Sequence, residues 1–570
     1  MSNKCFQLLV PLLVIAITAF VPILPALVSG GFPADPYSEL PVKLWAYDTF
    51  SDSGHWLGGP MPTIGFPTGG PLNNPDVFGS IWMHIGRFLP QSTAYVLMIG
   101  CIQSLNMFSI FVLAKSWTKE SISAMAAALY FGFCAAIQGY VIGGAITDML
   151  HIWPYPMAIW SGMIAFRLSH LRWGVLAGIF FGLGFVTCPY NAVLFSTVAL
   201  PLAWSLHQER VVFNSQGLKV AAVLGLSSLF IIGLYALKLQ EVMSAASSQM
   251  SSELVQSTRH KWPFFGLSPD HPDRYVASLS DYMTTGKSNL IIRDSGSRFY
   301  RSYTLGMLGI GIAIVGFFKN RSWLWTSILA MGILLSIGPF LSLTSSHFIS
   351  APSNPIYLAF YYAWPGTQMI LEPFRYQLVA TLGLCMLIAG GISALKNTTL
   401  QLALVIGLPI EMGVLSTAPF PQPVSTFQTE EVYNQLPDSL NGGIIELPYH
   451  HKKSRLFVRQ HFLNQLSHDQ PIVNEVAGFL PAIFFENAFL ARLMTHDAPY
   501  PVPTGRKETA VSGANQLYED GFRSLILTPS ELIDAQAAQQ MRTQIEAVLG
   551  APILQDGGRI IYAFQPSNTD

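Results

Sequence analysis

Long runs of apolar residues, separated by short polar stretches, dominate the first 418 positions of the sequence. A helix needs roughly 20 apolar residues to cross about 30 Å of hydrocarbon. By this measure the pattern predicts eleven transmembrane helices and a mainly α polytopic membrane protein. The first is expected to be a retained signal-anchor, because its apolar stretch exceeds a signal-peptide core. The approximate bounds are 6–28, 92–114, 121–143, 150–166, 172–187, 190–206, 218–238, 303–318, 323–344, 372–394 and 399–418.

The distribution of lysine and arginine among the short loops sets the predicted orientation. With the N-terminus inside, every short inside loop carries a cation, whereas the short outside connections 144–149 and 188–191 carry none. We therefore expect the N-terminus inside, long outside loops at 29–91 and 239–302, and the C-terminus outside. The inside cations are Lys4, Lys115, Lys119, Arg167, Arg172, Arg210, Lys219, Lys319, Arg321 and Lys396.

Charge divides the chain near residue 418. Residues 419–570 hold 16 Asp and Glu against 10 Lys and Arg, a net charge of −6. The preceding residues hold 16 against 21, a net charge of +5. Strand-like runs at 443–447 and 524–527, with helical spacing over 535–549, predict an α/β fold for the tail. We predict a transmembrane domain over 1–418 and a soluble extracytoplasmic α/β domain over 419–570.

Composition excludes several functions. Charged residues make up 11% of the chain and the net charge is −1, so no basic excess indicates nucleic-acid binding. The sequence contains no CxxC pair, HExxH motif, Walker loop or Gly-x-Ser-x-Gly elbow. The tail histidines fit no zinc pattern and are expected on the surface. They are His450, His451, His461 and His468.

Two acids are the candidate catalytic residues. Asp35 follows the first span on a turn rich in Gly and Pro, and Asp148 lies in the short outside turn before the fourth span. Two carboxylates at one depth can share a divalent cation or supply a general base. The alternative is that Asp35 caps a short helix and Asp148 caps the fourth span. His151 is a candidate substrate-binding residue, and Asp76 is expected to cap a turn or helix.

Outside cations are the candidates for holding a phosphate. Arginines in the 239–302 loop suit a lipid phosphate beside the membrane, although ordinary surface cations near head groups are the alternative. At the outer lip of the tenth span, Arg375 can hold a phosphate or pair with Glu372; both residues are substrate-binding candidates. The loop candidates are Arg274, Arg293, Arg298 and Arg301.

This layout resembles the C-type (GT-C) membrane glycosyltransferases. An acid begins the first long outside loop, a second acid follows at the next outside turn, and a separate domain ends the chain. Several short runs are similar to large bacterial members of unassigned specificity. These runs are Asp35-Pro36-Tyr37, Gly69-Gly70-Pro71-Leu72, Trp364-Pro365-Gly366, Pro373-Phe374-Arg375 and Gln470-Pro471-Ile472-Val473-Asn474.

The resemblance implies a polyprenyl-phosphate sugar donor, bound from the bilayer, and transfer to an acceptor on the outer face of the bacterial inner membrane. Asp35 would match the catalytic acid of the first loop, and Asp148 the acid of the second. Arg375 and the loop arginines would hold the donor phosphate. Asp35 departs from the family pattern because it lacks an acidic neighbour of the Asp-x-Asp or Glu-Asp kind, which argues against metal dependence. The cofactor is therefore left unassigned, with a divalent cation as the candidate.

Two other functions compete with transfer. The first is a non-catalytic membrane scaffold or accessory subunit of a larger complex, which would bind protein partners through the C-terminal domain. The second is a transporter, which would favour charges inside the membrane and paired repeats. Glu411 is the main acid deep in a predicted span and no repeat is visible, so the transporter ranks last.

Overall fold

The structure is a computed structural model of the chain. It describes residues 3–565 except 36–37, 39, 55, 62, 68, 75, 144–146, 213, 248–276, 278, 280–281, 283–303, 342–351, 371, 416–417, 419, 428–432, 434, 450–459, 475–482, 498–508, 533 and 557. The four loop arginines predicted to hold a phosphate lie outside the described residues, so their role stays a prediction. They are Arg274, Arg293, Arg298 and Arg301.

The chain up to residue 415 is mostly helical, and each predicted span coincides with one or two helices. In chain order these helices are α1 (Asn3–Phe20), α2 (Leu24–Ser29), α3 (Leu40–Ser53), α4 (Val77–Ile85), α5 (Gln91–Thr118), α6 (Ser121–Phe133), α7 (Ala135–Gly143), α8 (Thr147–Leu150), α9 (Pro154–Leu168), α10 (Leu171–Thr187), α11 (Pro189–Ser196), α12 (Ala199–Gln208), α13 (Ser215–Ser247), α14 (Met307–Asn320), α15 (Trp323–Ser336), α16 (Pro355–Ala363), α17 (Gln377–Ser393) and α18 (Thr398–Leu415).

Within the described residues, four helical segments are long and apolar enough to cross a membrane, and α6 with α7 makes a fifth if this pair, bent by 45°, is one span. Several of the other apolar helices have only 10–17 residues. The chain is therefore an integral membrane protein with at least four candidate spans, and the total of eleven stays a prediction. The four segments are Leu9–Ser29, Gln91–Thr118, Ser215–Leu237 and Pro373–Ser393.

Helix α17 forms the centre of the bundle, where it packs against α5, α6, α14 and α15. Its residues are buried almost from end to end. Glycines allow the close approach: a Cβ added to Gly391 would lie 2.1 Å from the carbonyl oxygen of Ile312, and one added to Gly316 would lie 2.1 Å from that of Leu387. Small residues at helix contacts are the usual device for packing inside a membrane.

Two short strands fasten the beginning of the tail to the beginning of the first loop. Strand β1 (Phe32–Pro33) pairs antiparallel with β4 (Val424–Ser425). The Ser425 hydroxyl donates to the carbonyl of Ala34 at 2.6 Å. The chain leaving α2 and the chain leaving α18 therefore lie side by side, on the same side of the bundle. The first loop also contains a hairpin of β2 (Gly58–Met61) and β3 (Gly70–Asn73).

The tail contains a four-stranded sheet in the order β5–β6–β8–β7. The β5–β6 pair is parallel, and the other two pairs are antiparallel. The strands predicted at 443–447 and 524–527 and the helix predicted at 535–549 are all present. The elements are β5 (Gly443–Leu447), α19 (Gln460–His468), α20 (Ile483–Glu486), α21 (Ala488–Asp497), α22 (Ala510–Glu519), β6 (Phe522–Leu527), α23 (Ala535–Leu549), β7 (Leu554–Asp556) and β8 (Arg559–Ala563).

The sheet packs on both faces, and one face meets the first loop. Ile445 and its neighbours share a core with α21, α22 and α23, whereas Ile444 belongs to a second core with Trp45 of α3. The Trp45 indole N–H donates to the side chain of Gln465 at 2.6 Å, and its ring packs edge-on against Phe462. Helix α3 is thereby held against the tail.

A buried carboxylate explains why the expected surface position of two tail histidines is wrong. Glu446 is 1% exposed and accepts hydrogen bonds from Tyr433 at 2.6 Å and Asn464 at 3.0 Å. Arg559 lies 3.3 Å and His461 3.7 Å from the same oxygen. His461 and His468 are both buried beside this carboxylate. Burial lowers the pKa of His468 to about 4, although the Glu446 carboxylate opposes the shift.

Candidate active site

Helix α3 presents two polar side chains to the bundle from one face. Lys43 and Tyr47 are four residues apart, which places them one above the other on a helix. The Lys43 ammonium donates to Oδ1 of Asp148 at 3.0 Å. The Lys43 side chain is 6% exposed and that of Asp148 23% exposed. The candidate acid Asp148 therefore lies on the same side as the first loop, in contact with a buried cation.

One helical turn after Lys43, the Tyr47 hydroxyl contacts both Asp76, which precedes α4, and Thr147, at the start of α8. Its hydroxyl lies 2.9 Å from Oδ2 of Asp76 and 2.9 Å from the Thr147 hydroxyl. Burial, and next the charge of Asp76, raise the pKa of Tyr47 well above its ordinary value, so the phenol stays protonated. Asp76 caps α4 as predicted, since its Oδ1 accepts from the N–H of Gly79. This network fixes α3 over the turn that carries Asp148.

His151 lies behind Asp148 in the turn between α8 and α9. Its backbone N–H donates to the carbonyl of Asp148 at 3.4 Å. Its Nε2 lies 3.8 Å from Oδ1 of Asp76, beyond hydrogen-bond distance, and the side chain is 8% exposed. The alternative that Asp148 caps the fourth span is wrong, because the N-cap of α9 is Trp153.

The Glu372–Arg375 pair lies against the residue that follows Asp148. Arg375 forms an ion pair with Glu372 and contacts the sulfur of Met149. Its guanidinium also stacks over the ring of Tyr190 at 5.1 Å. The backbone N–H of Glu372 donates to the Tyr190 hydroxyl at 3.1 Å, which holds the backbone at Glu372 in place. The predicted pairing with Glu372 is thus present, and the pair forms one wall of the cluster around Asp148.

The structure brings Asp148, His151, Glu372 and Arg375 together at one end of the bundle. We call this group, with Lys43, the mouth cluster. Asp35 lies between β1 and α3, half-buried, with its carbonyl accepting from the N–H of Ser38 at 2.9 Å. It therefore precedes the helix that delivers Lys43. The role predicted for Asp35 stays a prediction.

Sequence reasoning missed Lys43, Tyr47 and Tyr190. The signal for Lys43 was present, because only Lys43 and Arg87 are Lys or Arg in the loop 29–91, and Lys43 lies in a largely apolar helical stretch. An isolated cation in such a stretch is costly to bury and needs a partner. Tyr190 gives no comparable signal, since an aromatic residue at a helix start is ordinary.

The described residues do not fit a metal ion. No group of three or more His, Cys, Asp or Glu within the described part of the chain is arranged to hold one. The Asp148 carboxylate instead contacts the ammonium of Lys43. A divalent cation is therefore assigned no step in the chemistry proposed below.

Comparison with solved structures decides the fold. The arabinofuranosyltransferase AftD from Mycobacteria superimposes with a TM-score of 0.57 at 12% identity, over 100% of this chain. The chain has the GT-C fold. It spans only 40% of the AftD chain, so it matches less than half of that protein. No protein-family model matches the sequence, and a search of curated proteins also found no match.

Two other structures with the GT-C fold are more distant. The oligosaccharyltransferase AglB from Archaeoglobus fulgidus, solved with an inhibitory peptide and a dolichol-phosphate, has a TM-score of 0.44 at 12% identity. It covers 93% of this chain and 70% of its own. ArnT from Cupriavidus metallidurans, solved with undecaprenyl phosphate, has a TM-score of 0.38 at 12% identity and covers 99% of both chains. The GT-C resemblance expected from the sequence is confirmed at the level of the fold by the comparison with AftD.

Proposed function

We propose that this chain is a glycosyltransferase that uses a polyprenyl-phosphate sugar donor. The observation that carries the proposal is the mouth cluster, in which a part-exposed carboxylate and two cations meet at one end of a GT-C fold. Arginine and lysine bind phosphate, and Asp35, which precedes the helix that carries Lys43, is the carboxylate assigned as general base. AglB and ArnT were each solved with a polyprenyl-type phosphate, which is the donor class proposed for this chain.

In the proposed reaction, an acceptor hydroxyl attacks the anomeric carbon of the donor sugar. The new bond joins the hydroxyl oxygen to that carbon, and the bond from the carbon to the phosphate oxygen breaks. Asp35 takes the hydroxyl proton, and the lipid phosphate leaves with the bonding electron pair. Arg375 and Lys43 stabilise the negative charge of the departing phosphate. Asp148 orients Lys43 through its 3.0 Å contact.

The proposal places transfer on the extracytoplasmic side of the bacterial inner membrane, with the N-terminus inside. The first loop contacts both the Asp148 turn and the tail, and the Arg375 lip contacts the residue after Asp148, which supports one shared side for these parts. The positive-inside pattern makes that side the outer one. Residues 419–570 would then form an extracytoplasmic domain beside the mouth cluster.

The test uses the full-length protein in liposomes with a polyprenyl-phosphate-linked sugar. Arabinofuranose is the first donor to try, because AftD is an arabinofuranosyltransferase. We expect Asp35→Asn to lower transfer roughly 100-fold or more, as loss of a general base does. Asp52→Asn is the matched control, since Asp52 is an exposed acid in the same loop.

Two results would contradict the proposal. Full transfer by Asp35→Asn would show that Asp35 is not the general base of the reaction. No transfer by the unaltered protein, across a panel of polyprenyl-phosphate sugars, would favour the scaffold function.

A further inference from the structure

A cavity of about 830 Å³ lies at the end of the bundle opposite the mouth cluster. Helix α17 connects the two places: Arg375 lies just before its first residue, and Ser393 at its last residue lines the cavity. With a rise of about 1.5 Å per residue, the helix separates them by roughly 25 Å. Helix α9 spans the same interval, from the turn of His151 to Arg167 on the cavity wall. The cavity is therefore distinct from the candidate active site.

Within the described part of the chain, four tryptophans line this cavity, two of them packed into the protein and two exposed. Trp117 and Trp325 pack edge to face with centroids 6.1 Å apart, and Trp325 is 1% exposed. Gly390 leaves room for Trp117, because a Cβ there would lie 2.7 Å from the indole ring. Trp204 and Trp323 are instead 66% and 68% exposed. Indoles in this mixed position are typical of the boundary between lipid and water.

Among the described residues of the polar lining, Arg321 carries a positive charge that no acid compensates. Arg167 is neutralised by Glu209 through two hydrogen bonds of 2.8 and 2.7 Å. Arg321 is exposed, and no ion pair of its guanidinium occurs within the described part of the chain. The hydroxyl of Ser322 and the amides of the first turn of α15, which no side chain caps, lie beside it. These groups are donors, so they favour a negatively charged ligand.

The surroundings of the cavity indicate that the ligand comes from the bilayer. Apolar side chains on the helices next to it are exposed, including Leu168 (58%), Leu200 (47%) and Phe318 (71%). In a membrane protein such surfaces face lipid tails. A molecule whose polar group fills the cavity can therefore keep its hydrocarbon part against the protein surface.

We propose that this cavity binds the head group of an anionic phospholipid of the leaflet on its own side. The phosphate contacts Arg321, and the tryptophans enclose the rest of the head group. The positive-inside pattern assigns that leaflet to the cytoplasmic side. The site does not depend on the proposed transferase activity.

The test is native mass spectrometry of the full-length protein, purified in detergent, with dioleoylphosphatidylglycerol or dioleoylphosphatidylcholine added. We expect phosphatidylglycerol to bind at least tenfold more tightly, and Arg321→Asn to remove most of this preference. Arg210→Asn is the matched control. Arg210 is also an exposed arginine with positive φ (58°, against 46° for Arg321), but it does not line the cavity. Asparagine tolerates this backbone conformation, so both variants should fold.

Three results would overturn the proposal. Equal binding of the two lipids would show that the site does not select an anionic head group. If Arg321→Asn and Arg210→Asn lost the preference for phosphatidylglycerol to the same extent, the preference would be a general effect of surface charge. Competition by inorganic phosphate at the same concentration as the lipid would show that a soluble anion, and not a lipid, is the ligand.

Discussion

The contact between Lys43 and Asp148 gives the sharpest test of the mouth cluster. Lys43→Met keeps the length of the side chain and removes its charge. At 3.0 Å and an effective dielectric constant of about 20, the gross Coulomb attraction is roughly 5 kcal/mol, most of which is offset by the desolvation of both ions. Exposed pairs are worth roughly 0–1 kcal/mol, whereas removing one partner of a buried pair costs roughly 3–5 kcal/mol.

Lys43 is almost fully buried, but a quarter of the Asp148 side chain is open to solvent. We therefore expect an intermediate cost: Lys43→Met lowers the free energy of unfolding by roughly 2 kcal/mol. A double-mutant cycle with Asp148→Asn isolates the contact, because the second change matters less once the first has removed the partner. The expected coupling is roughly 1–2 kcal/mol, measured by denaturant titration in detergent micelles.

Arg87→Met is the matched control, since Arg87 is exposed and is the other Lys or Arg of the first loop. Its effect on stability should stay within roughly 0.5 kcal/mol. A coupling energy near zero for Lys43 and Asp148 would refute the reasoning. So would equal costs for Lys43→Met and Arg87→Met. In the transfer assay, the Lys43 variant should lose more activity than its stability explains, because it also loses a cation that we propose stabilises the departing phosphate.

Three further predictions concern the rest of the fold. Gly391→Val should prevent stable assembly of the bundle, because its Cβ would lie 2.1 Å from the Ile312 carbonyl; size-exclusion chromatography would detect aggregation, and a monodisperse variant would contradict the packing. Trp45→Phe should cost roughly 1 kcal/mol in thermal unfolding, since Gln465 loses its donor; an unchanged melting temperature would argue against that contact. His468 has a pKa of about 4 in the folded protein and roughly 6.5 in the unfolded chain. The free energy of unfolding that this difference contributes is therefore complete above about pH 6.5 and is lost as the pH falls towards 4. His468→Gln should flatten the dependence of the free energy of unfolding on pH over this range.

The apolar runs carried most of the information that the sequence offered. Helix positions could be predicted because burial in lipid demands long uninterrupted stretches such as Gln91–Thr118. The acid of the short turn, Asp148, could be located for the same reason, since the spans on either side fix its depth. Arg375 could likewise be placed at a helix end, and its pairing with Glu372 was one of the stated alternatives.

Partners far apart in the chain could not be predicted. Lys43 and Asp148 are separated by 105 positions, and no local pattern announces their contact. The buried histidines were misjudged for a related reason. His461 and His468 resemble surface residues until Glu446 is known to be buried on the adjacent strand. That carboxylate is enclosed by Tyr433, Arg559 and side chains of α19, which only the tertiary structure brings together.

Opposite sides of helix α3 contact different parts of the molecule. Trp45 contacts the tail, whereas Lys43, two residues earlier, contacts the Asp148 turn. Because α3 is a single helix held by both contacts, a shift at one contact also moves the other. A movement of the tail that displaces α3 would therefore also change the distance between the Lys43 ammonium and the Asp148 carboxylate.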